Sequence, residues 1–520
     1  MDTTASPNGW INDGDNETMG NNVDAHLDLD ADDQPDLPRP QGSPFRVFYF
    51  HLDTTQPPTT PFNRKSAVVQ LFYWCNWMHD RLYQLGFDEA SGNFQNDNFG
   101  RGGVDSDAVQ ADAQDGSGTD NANFSTPPDG QAGRMQMYLF TAPKPKRDAC
   151  FDAQVVLHEY THGLSNRLVG GGVGISQLQT EGMGEGWSDF YALSLLSKKD
   201  DNLNGDYPEG AYASYQLLGN DDNYYFGIRR YPYTTNLHRN PLTFKDIDPD
   251  QENFHAGIPI GPDGSMGDEV HAQGEVWCVT LWEARANLIR KYGWAMGNQM
   301  ILQLVTDGMK LSPENPNFLE ARDAIIQADL VDNGGANHDE LWAAFAKRGL
   351  GASASSPDSS TTSGVEEAFD LPDSLSVSPL GQFSTSGQVG GPFPDTQTYT
   401  LVNNGSASLN WSVAKSQSWL DLSPNLSSGT LAPGESTTFT ASIDSSANSL
   451  TTGIYTDSIV VQDTTTGVSW SLPVTLQVGT IDYFTESFDG ETPASSIQDL
   501  QLYFPAGWLP EFLFGAPETL

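Results

Sequence analysis

The sequence predicts an α+β chain, with a first part in which helices come to dominate and an all-β sandwich after it. Three observations carry this expectation. Apolar residues recur at three-to-four spacing in runs between residues 65 and 347, the period of helices buried on one face. From 374 to 478 that period gives way to alternation, as in Leu409-x-Trp411-x-Val413, the period of half-buried strands. Between the two lies a low-complexity stretch of Ser, Thr, Ala and Gly at 352–364. The predicted organisation is one unit over 1–372, an immunoglobulin-sized sandwich over 374–478, and at 481–520 the truncated start of a further β module, too short to bury a core alone.

Charge narrows the function classes. Only 25 Lys and Arg stand against 68 Asp and Glu, which opposes binding to nucleic acid or an anionic membrane and suits calcium. No run of apolar residues is long enough to span a bilayer, and Met1-Asp2-Thr3-Thr4 lacks the basic and apolar regions of a signal peptide. Cys75, Cys150 and Cys278 are too few and too dispersed for a disulfide framework, and read as small buried hydrophobes.

Taken in order, the first sixty residues read as loops with a short strand at 45–50, and the acidic run at 28–33 reads as solvated. The nearly continuous apolar run at 65–86 predicts a buried helix, with His79 and Asp80 in structural roles. Asn121 and Ala122 precede a Pro127-Pro128-Asp129-Gly130 turn, and a strand is predicted at 135–140.

The stretch 155–164 contains His158-Glu159-x-x-His162 within a helical apolar pattern. Positions four apart share one helix face, so both imidazoles can reach one metal ion while Glu159 points beside it. A catalytic zinc takes three protein ligands and keeps one position open. The histidine-supplied version of the third ligand is excluded, because Ser165 and Leu168 stand at the required positions. A carboxylate from a second helix remains, and Glu185 is the strong candidate. It falls in the first turn of a helix predicted from Phe190, Leu193, Leu195 and Leu196, with Asp189 one turn later on the same face. Asp189 is placed to accept the free ring N–H of His158 or His162.

Together HEYTHGLSNRL and GMGEGWSDF resemble the fungalysin family of zinc metallopeptidases, distant relatives of thermolysin. The similarity extends through FYWCNWMHDRLYQLGF, DNFGRGG and DEVHAQGEVW over much of the first 370 residues. It implies a thermolysin-like, two-lobed fold with a mainly helical C-terminal lobe. It also implies zinc held by His158, His162 and Glu185, with Glu159 as catalytic acid and base. The implied protein is a secreted, extracellular, monomeric endopeptidase acting on proteins or peptides, made with an N-terminal propeptide that this chain lacks. By the same similarity Asn121 and Ala122 form a sheet edge that the substrate backbone joins as a strand. His271 resembles the transition-state histidine of a Val-His pair, at the start of a helix for which Asp268 is the expected N-cap. The competing class is an inactive adhesive protein whose sandwich binds carbohydrate or matrix; it would tolerate broken ligands, and all four motif residues are intact.

Asp200, Asn202, Asn204 and Asp206 fit the first half of a calcium loop, but Ala211 stands where the closing Glu is needed, and an Asx-rich turn explains the same residues. Further helices are predicted at 298–308, 317–330 and 340–347. In the sandwich, turns are expected at Asn403-Asn404-Gly405 and Pro433-Gly434; a loose resemblance to the Ig-like modules of secreted bacterial enzymes supplies no binding residues.

Overall fold

Thr60 starts the first long helix, because its hydroxyl accepts the Asn63 N–H and Pro61 follows at a position whose N–H would have no helical partner. This helix, α1 (Pro61–Tyr83), buries Val68, Leu71, Cys75, Met78 and Leu82. The structure is a computed structural model and describes residues 1–479, apart from 220–221, 252–254, 263–265, 373–374, 404–407, 425–426, 433–434 and 466.

A four-stranded sheet lies against α1 and is built from β1 (Val23–Leu27), β2 (Val109–Ala113), β3 (Ala122–Ser125) and β4 (Arg134–Met137) in the order β1-β2-β4-β3. The first, second and fourth strands are parallel, while β3 runs antiparallel and forms an edge. The strand expected at 135–140 is divided. Beyond β4 the Tyr138 carbonyl accepts the Ala149 N–H, and β5 (Leu139–Phe140) pairs instead with β6 (Arg147–Asp148). No strand forms at 45–50, where the chain turns back on itself: Ser43 N–H reaches Val47 O and Arg46 takes φ 62°.

The helices that follow are α2 (Ala153–Leu168), α3 (Leu178–Leu196), the short α4 (Asn223–Phe226), α5 (Val270–Tyr292), α6 (Trp294–Leu311), α7 (Phe318–Asn333) and α8 (His338–Lys347). Asp152 caps α2 by accepting the Gln154 N–H, and the helix gives way to left-handed Gly170 and Gly171. Because α3 begins at Leu178, Glu185 sits two turns inside it and not in its first turn. Gly182 and Gly186, which weaken a helix in isolation, serve close approach here. A Cβ on Gly186 would stand 2.6 Å from Gly274 O, and one on Gly274 would stand 2.6 Å from Glu185 Cβ. Helices α3 and α5 therefore meet at backbone distance beside Glu185. The N-cap of α5 is Glu269, which accepts the Ala272 N–H, and not Asp268.

The low-complexity stretch is tied down. Gln179 donates its backbone N–H to Ser359 O and its side-chain amide to Thr361 O, and Asn317 reaches Pro357 O. After it come β7 (Leu375–Ser378), β8 (Phe383–Gly387), β9 (Thr396–Asn403), β10 (Leu409–Ala414), β11 (Leu420–Ser423), β12 (Ser428–Leu431), β13 (Ser436–Ile443), β14 (Gly453–Asp463) and β15 (Ser469–Val478). They form two sheets, β12-β10-β14-β15-β8 and β11-β13-β9-β7. Tyr399, Leu401 and Phe439 of the second sheet share a core with Trp411, Val461 and Leu472 of the first, and Trp342 and Ala346 of α8 join it. The expected turns at 404–405 and 433–434, and the segment 481–520, lie outside the described residues.

All three cysteines are free and buried. Among the described residues no helix is long and apolar enough to cross a membrane.

An ion-pair group centred on the fully buried His26 and Asp112 joins the sheet. His26 of β1 lies opposite Asp112 of β2, with Nε2 2.8 Å from its carboxylate and Nδ1 3.1 Å from Asp24. Arg39 and Arg134 complete the group on Asp24 and Asp112. Burial opposes the charged imidazole, but the two carboxylates outweigh it and raise its pKa to about 9. The stabilisation is therefore complete below the unfolded value near 6.5 and is lost as pH rises through about 9. Stability from denaturant unfolding should fall by on the order of 3 kcal/mol across that window in the wild-type chain. In His26→Gln the fall should be largely absent.

Candidate functional site

One face of α2 presents His158, Glu159 and His162 to a cleft, and α3 presents Glu185 opposite them. The two imidazoles converge, with their Nε2 atoms 3.1 Å apart. Glu185 stands over both, Oε2 3.2 Å from His158 Nε2 and Oε1 3.5 Å from His162 Nε2. Two imidazoles and a carboxylate aimed at one point match the donor set of a tetrahedral zinc site that leaves one position open. Glu185 Oε2 is buried with no hydrogen-bond partner among the described residues, as a ligand oxygen would be before its ion binds. His158, His162 and Glu185 thus fit a metal ion, and their donor atoms all lie within 4.8 Å of one another.

Asp189, one turn after Glu185, accepts from His158 Nδ1 at 2.7 Å, leaving Nε2 for the shared point. Its oxygens also accept from Arg229 Nε at 2.6 Å and from the Arg229 terminal nitrogen at 2.7 Å, and Tyr233 donates its hydroxyl to the same group. Burial disfavours the Asp189 charge, yet Arg229 and His158 hold its pKa far below the usual carboxylate range. Neither Arg229 nor Tyr233 was legible beforehand, because Gly227-Ile228-Arg229-Arg230 matches no spacing rule. A guanidinium bound to both Asp189 oxygens and 3.7 Å from Glu185 nevertheless fixes two acids of the site.

Glu159 is 6% exposed, and burial pushes its carboxyl up to about 7. A group with that pKa can both take and return a proton near neutrality. His271, in the first turn of α5, points Nε2 at Glu185 Oε2 from 3.4 Å, and its Nδ1 is 2.6 Å from Glu269. Glu269, and not Asp268, therefore both caps α5 and orients His271. Asn121 and Ala122 line the same cleft with Asn123 and Phe124, at and along β3, which among the described residues pairs with β4 alone. That leaves one β3 edge open among the described residues, in the cleft that His158, His162 and Glu185 also line. No tyrosine lines this cleft among the described residues.

Calcium is not shown at the loop of Asp200, Asn202, Asn204 and Asp206, where Asn204 Oδ1 accepts from Thr235 and Arg290 and one Asp206 oxygen is paired with Arg239. Carboxylates do gather elsewhere, at Asp28, Asp112 and Asp115. Chain donors occupy them: Asp32 and Asp33 N–H on Asp28, Arg134 on Asp112, and Ser117 and Gln136 on Asp115. Asp28 is thus the buried anchor of its turn and not a solvated acid.

Residues 1–354 match the family described as Fungalysin metallopeptidase (M36). The chain belongs to the fungalysin family. Extracellular metalloproteinase 10 of Coccidioides posadasii is 43% identical over 370 residues, 67% of this chain and 54% of that protein. Extracellular metalloproteinase mep of Aspergillus flavus is 43% identical over 373 residues, 68% of this chain and 54% of its own length. The probable extracellular metalloproteinase 5 of Arthroderma benhamiae is 42% identical over 369 residues, with 67% and 54% covered. This fungalysin thus spans about half the length of the curated relatives it matches. A second family, described as Viral BACON domain, matches residues 374–471, the two-sheet part.

Replacing Asp189 with Asn removes the negative charge on which His158 Nδ1 and Arg229 converge and turns one acceptor oxygen into a donor amide, leaving the buried Arg229 without its closest counter-charge. Zinc affinity, read by competition with a chromophoric chelator, should fall about 10- to 100-fold. The unpaired guanidinium should also cost about 3 kcal/mol or more in unfolding free energy. Unchanged zinc affinity would show that the carboxylate does not orient the ligand.

Proposed function

We propose that this fungalysin is a secreted, zinc-dependent endopeptidase that hydrolyses peptide bonds in extracellular proteins. The observation that carries the reading is the convergence of His158 Nε2, His162 Nε2 and both Glu185 oxygens on one point in a cleft, with the buried Glu159 carboxyl beside it. The printed names of the relatives, extracellular metalloproteinases, support both the activity and the compartment.

Zinc held by His158, His162 and Glu185 would supply a Lewis acid that polarises the scissile carbonyl and acidifies water. The other work falls to the chain. The open edge of β3, from Asn121 and Ala122, takes the extended substrate as an added strand and so sets which bond reaches the cluster. Glu159 accepts the proton of the attacking water and returns it to the leaving amine, its raised pKa suiting both transfers. His271, oriented by Glu269, donates a hydrogen bond to the oxyanion as the carbonyl becomes tetrahedral. Asp189 and Arg229 keep His158 and Glu185 in place throughout.

We assign these roles to a peptidase domain over 1–372, acting as a monomer and made as a precursor with a propeptide. The two-sheet part over 374–478 is in this reading an immunoglobulin-like module outside the chemistry. Its core continues onto Trp342 and Ala346 of α8, which fits a module docked on the peptidase rather than freely tethered.

Glu159→Gln tests the assignment, since it keeps the ligands and removes the base. Zinc content should stay at the wild-type level while kcat on a short quenched-fluorescence peptide falls by roughly a hundredfold or more. Wild-type turnover in the zinc-loaded variant would move the base to another residue.

A further inference from the structure

Glu209 is the buried acid of the cleft that the proposed chemistry leaves unused. It is 2% exposed, and among the described residues neither of its carboxylate oxygens has a hydrogen-bond partner. It lines the cavity of about 380 Å³ that holds the histidine pair and Glu185, next to Phe140, Val155, Gly210 and Ile228. Its backbone is fixed on both sides. Glu209 O accepts the Ile228 N–H at 2.9 Å, and Gln154 of α2 holds the flanking residues by accepting the Gly210 N–H and donating to Pro208 O. Gly227 makes that approach feasible, because a Cβ there would stand 2.0 Å from Glu209 O.

The charged groups around Glu209 are already committed. Asp152 accepts the N–H groups of Gln154, Tyr212 and Ala213, and Asp189 is held by Arg229, His158 and Tyr233. Arg229 directs Nε and a terminal nitrogen to Asp189, and no ion pair joins it to Glu209 among the described residues. Burial first, and the Asp189 charge second, push the Glu209 carboxyl well above its ordinary range, outweighing the opposite pull of His158 and Arg229. An isolated buried carboxylate is costly to ionise and strongly favoured once a cation is set against it.

We propose that Glu209 is the floor of a substrate subsite beside the scissile bond that takes a cationic side chain, lysine or arginine. The assignment rests on the peptidase reading above. The walls and the floor divide the recognition. The methylene stem of such a side chain lies along Phe140, Val155 and Ile228, and its charged head reaches the carboxylate. A subsite built this way discriminates strongly, since an apolar side chain would leave the carboxyl buried without a partner.

The full zinc-loaded chain is given matched peptides that differ only at the residue flanking the cleaved bond, and kcat/KM is measured for Lys, Arg, citrulline and Leu. Cleavage positions are confirmed by mass spectrometry. Lys and Arg should exceed Leu by tenfold or more, and Arg should exceed citrulline, which has nearly its shape without its charge. In Glu209→Leu the Lys-to-Leu ratio should fall by at least tenfold, with Glu209→Gln intermediate. Should the variants not fold, the Arg-to-citrulline ratio of the wild-type chain decides alone. Equal rates for Arg and citrulline, preference for Leu, or an unaltered ratio in a folded Glu209→Leu overturns the subsite. Absence of hydrolysis of every peptide by the zinc-loaded wild type would instead fail the peptidase reading itself, and the subsite with it.

Discussion

The buried carboxylate of Asp189 is the constraint on which the site depends. It is fully buried, and it joins three separate pieces of chain: α2 through His158, α3 by its own backbone, and the segment after α4 through Arg229 and Tyr233. A charge so placed is tolerated because every lone-pair direction finds a donor and a guanidinium neutralises it. The same contacts fix the His158 tautomer, so the requirement to satisfy a buried acid and the requirement to present Nε2 to a metal are met by one arrangement. Arg229 extends that arrangement to Glu185, standing 3.7 Å from Oε2, an oxygen with no hydrogen-bond partner among the described residues.

The backbone contact between α3 and α5 sets the other dimension of the cleft. Glycine at 186 and 274 brings the two helices together where Glu185 and His271 must face each other, and a methyl group at either place would collide with the partner backbone or with Glu185 Cβ. On the far side, the edge strand β3 has no further strand partner among the described residues. The proposed ligands, base and substrate edge thus come from rigid elements whose distances are fixed by packing.

Much of this was legible in the sequence because the informative residues are local. His158 and His162 are one helical turn apart, and Glu185 and Asp189 are one turn apart, so periodicity alone places each pair on a shared face. The helices α1, α2 and α5 to α8 and the alternating strands of the last two sheets follow the same logic. What was not legible depends on long-range contact. Nothing near Arg229 or Glu209 in sequence says that both line the cleft of His158, His162 and Glu185. The apolar pattern from Phe190 placed the helix start beside Glu185, whereas α3 begins at Leu178 and the glycines at 182 and 186 serve close approach to a partner helix distant in the chain. Asp268 and Glu269 are equally acidic, and only the structure distinguishes the cap that orients His271. In the loop of Asn204 and Asp206 the contacts from Thr235, Arg290 and Arg239 likewise come from elsewhere in the chain and could not be read locally.

The central claim is that His158, His162 and Glu185 together hold one catalytic zinc. X-ray absorption at the zinc edge of the purified chain, combined with elemental analysis, addresses it most directly. The account predicts about one zinc per chain in a shell of nitrogen and oxygen only, with two imidazoles at about 2.0–2.1 Å, and with the imidazole signal reduced in His162→Ala. A sulfur ligand, a single imidazole, or a zinc-free chain after refolding with excess zinc would contradict it.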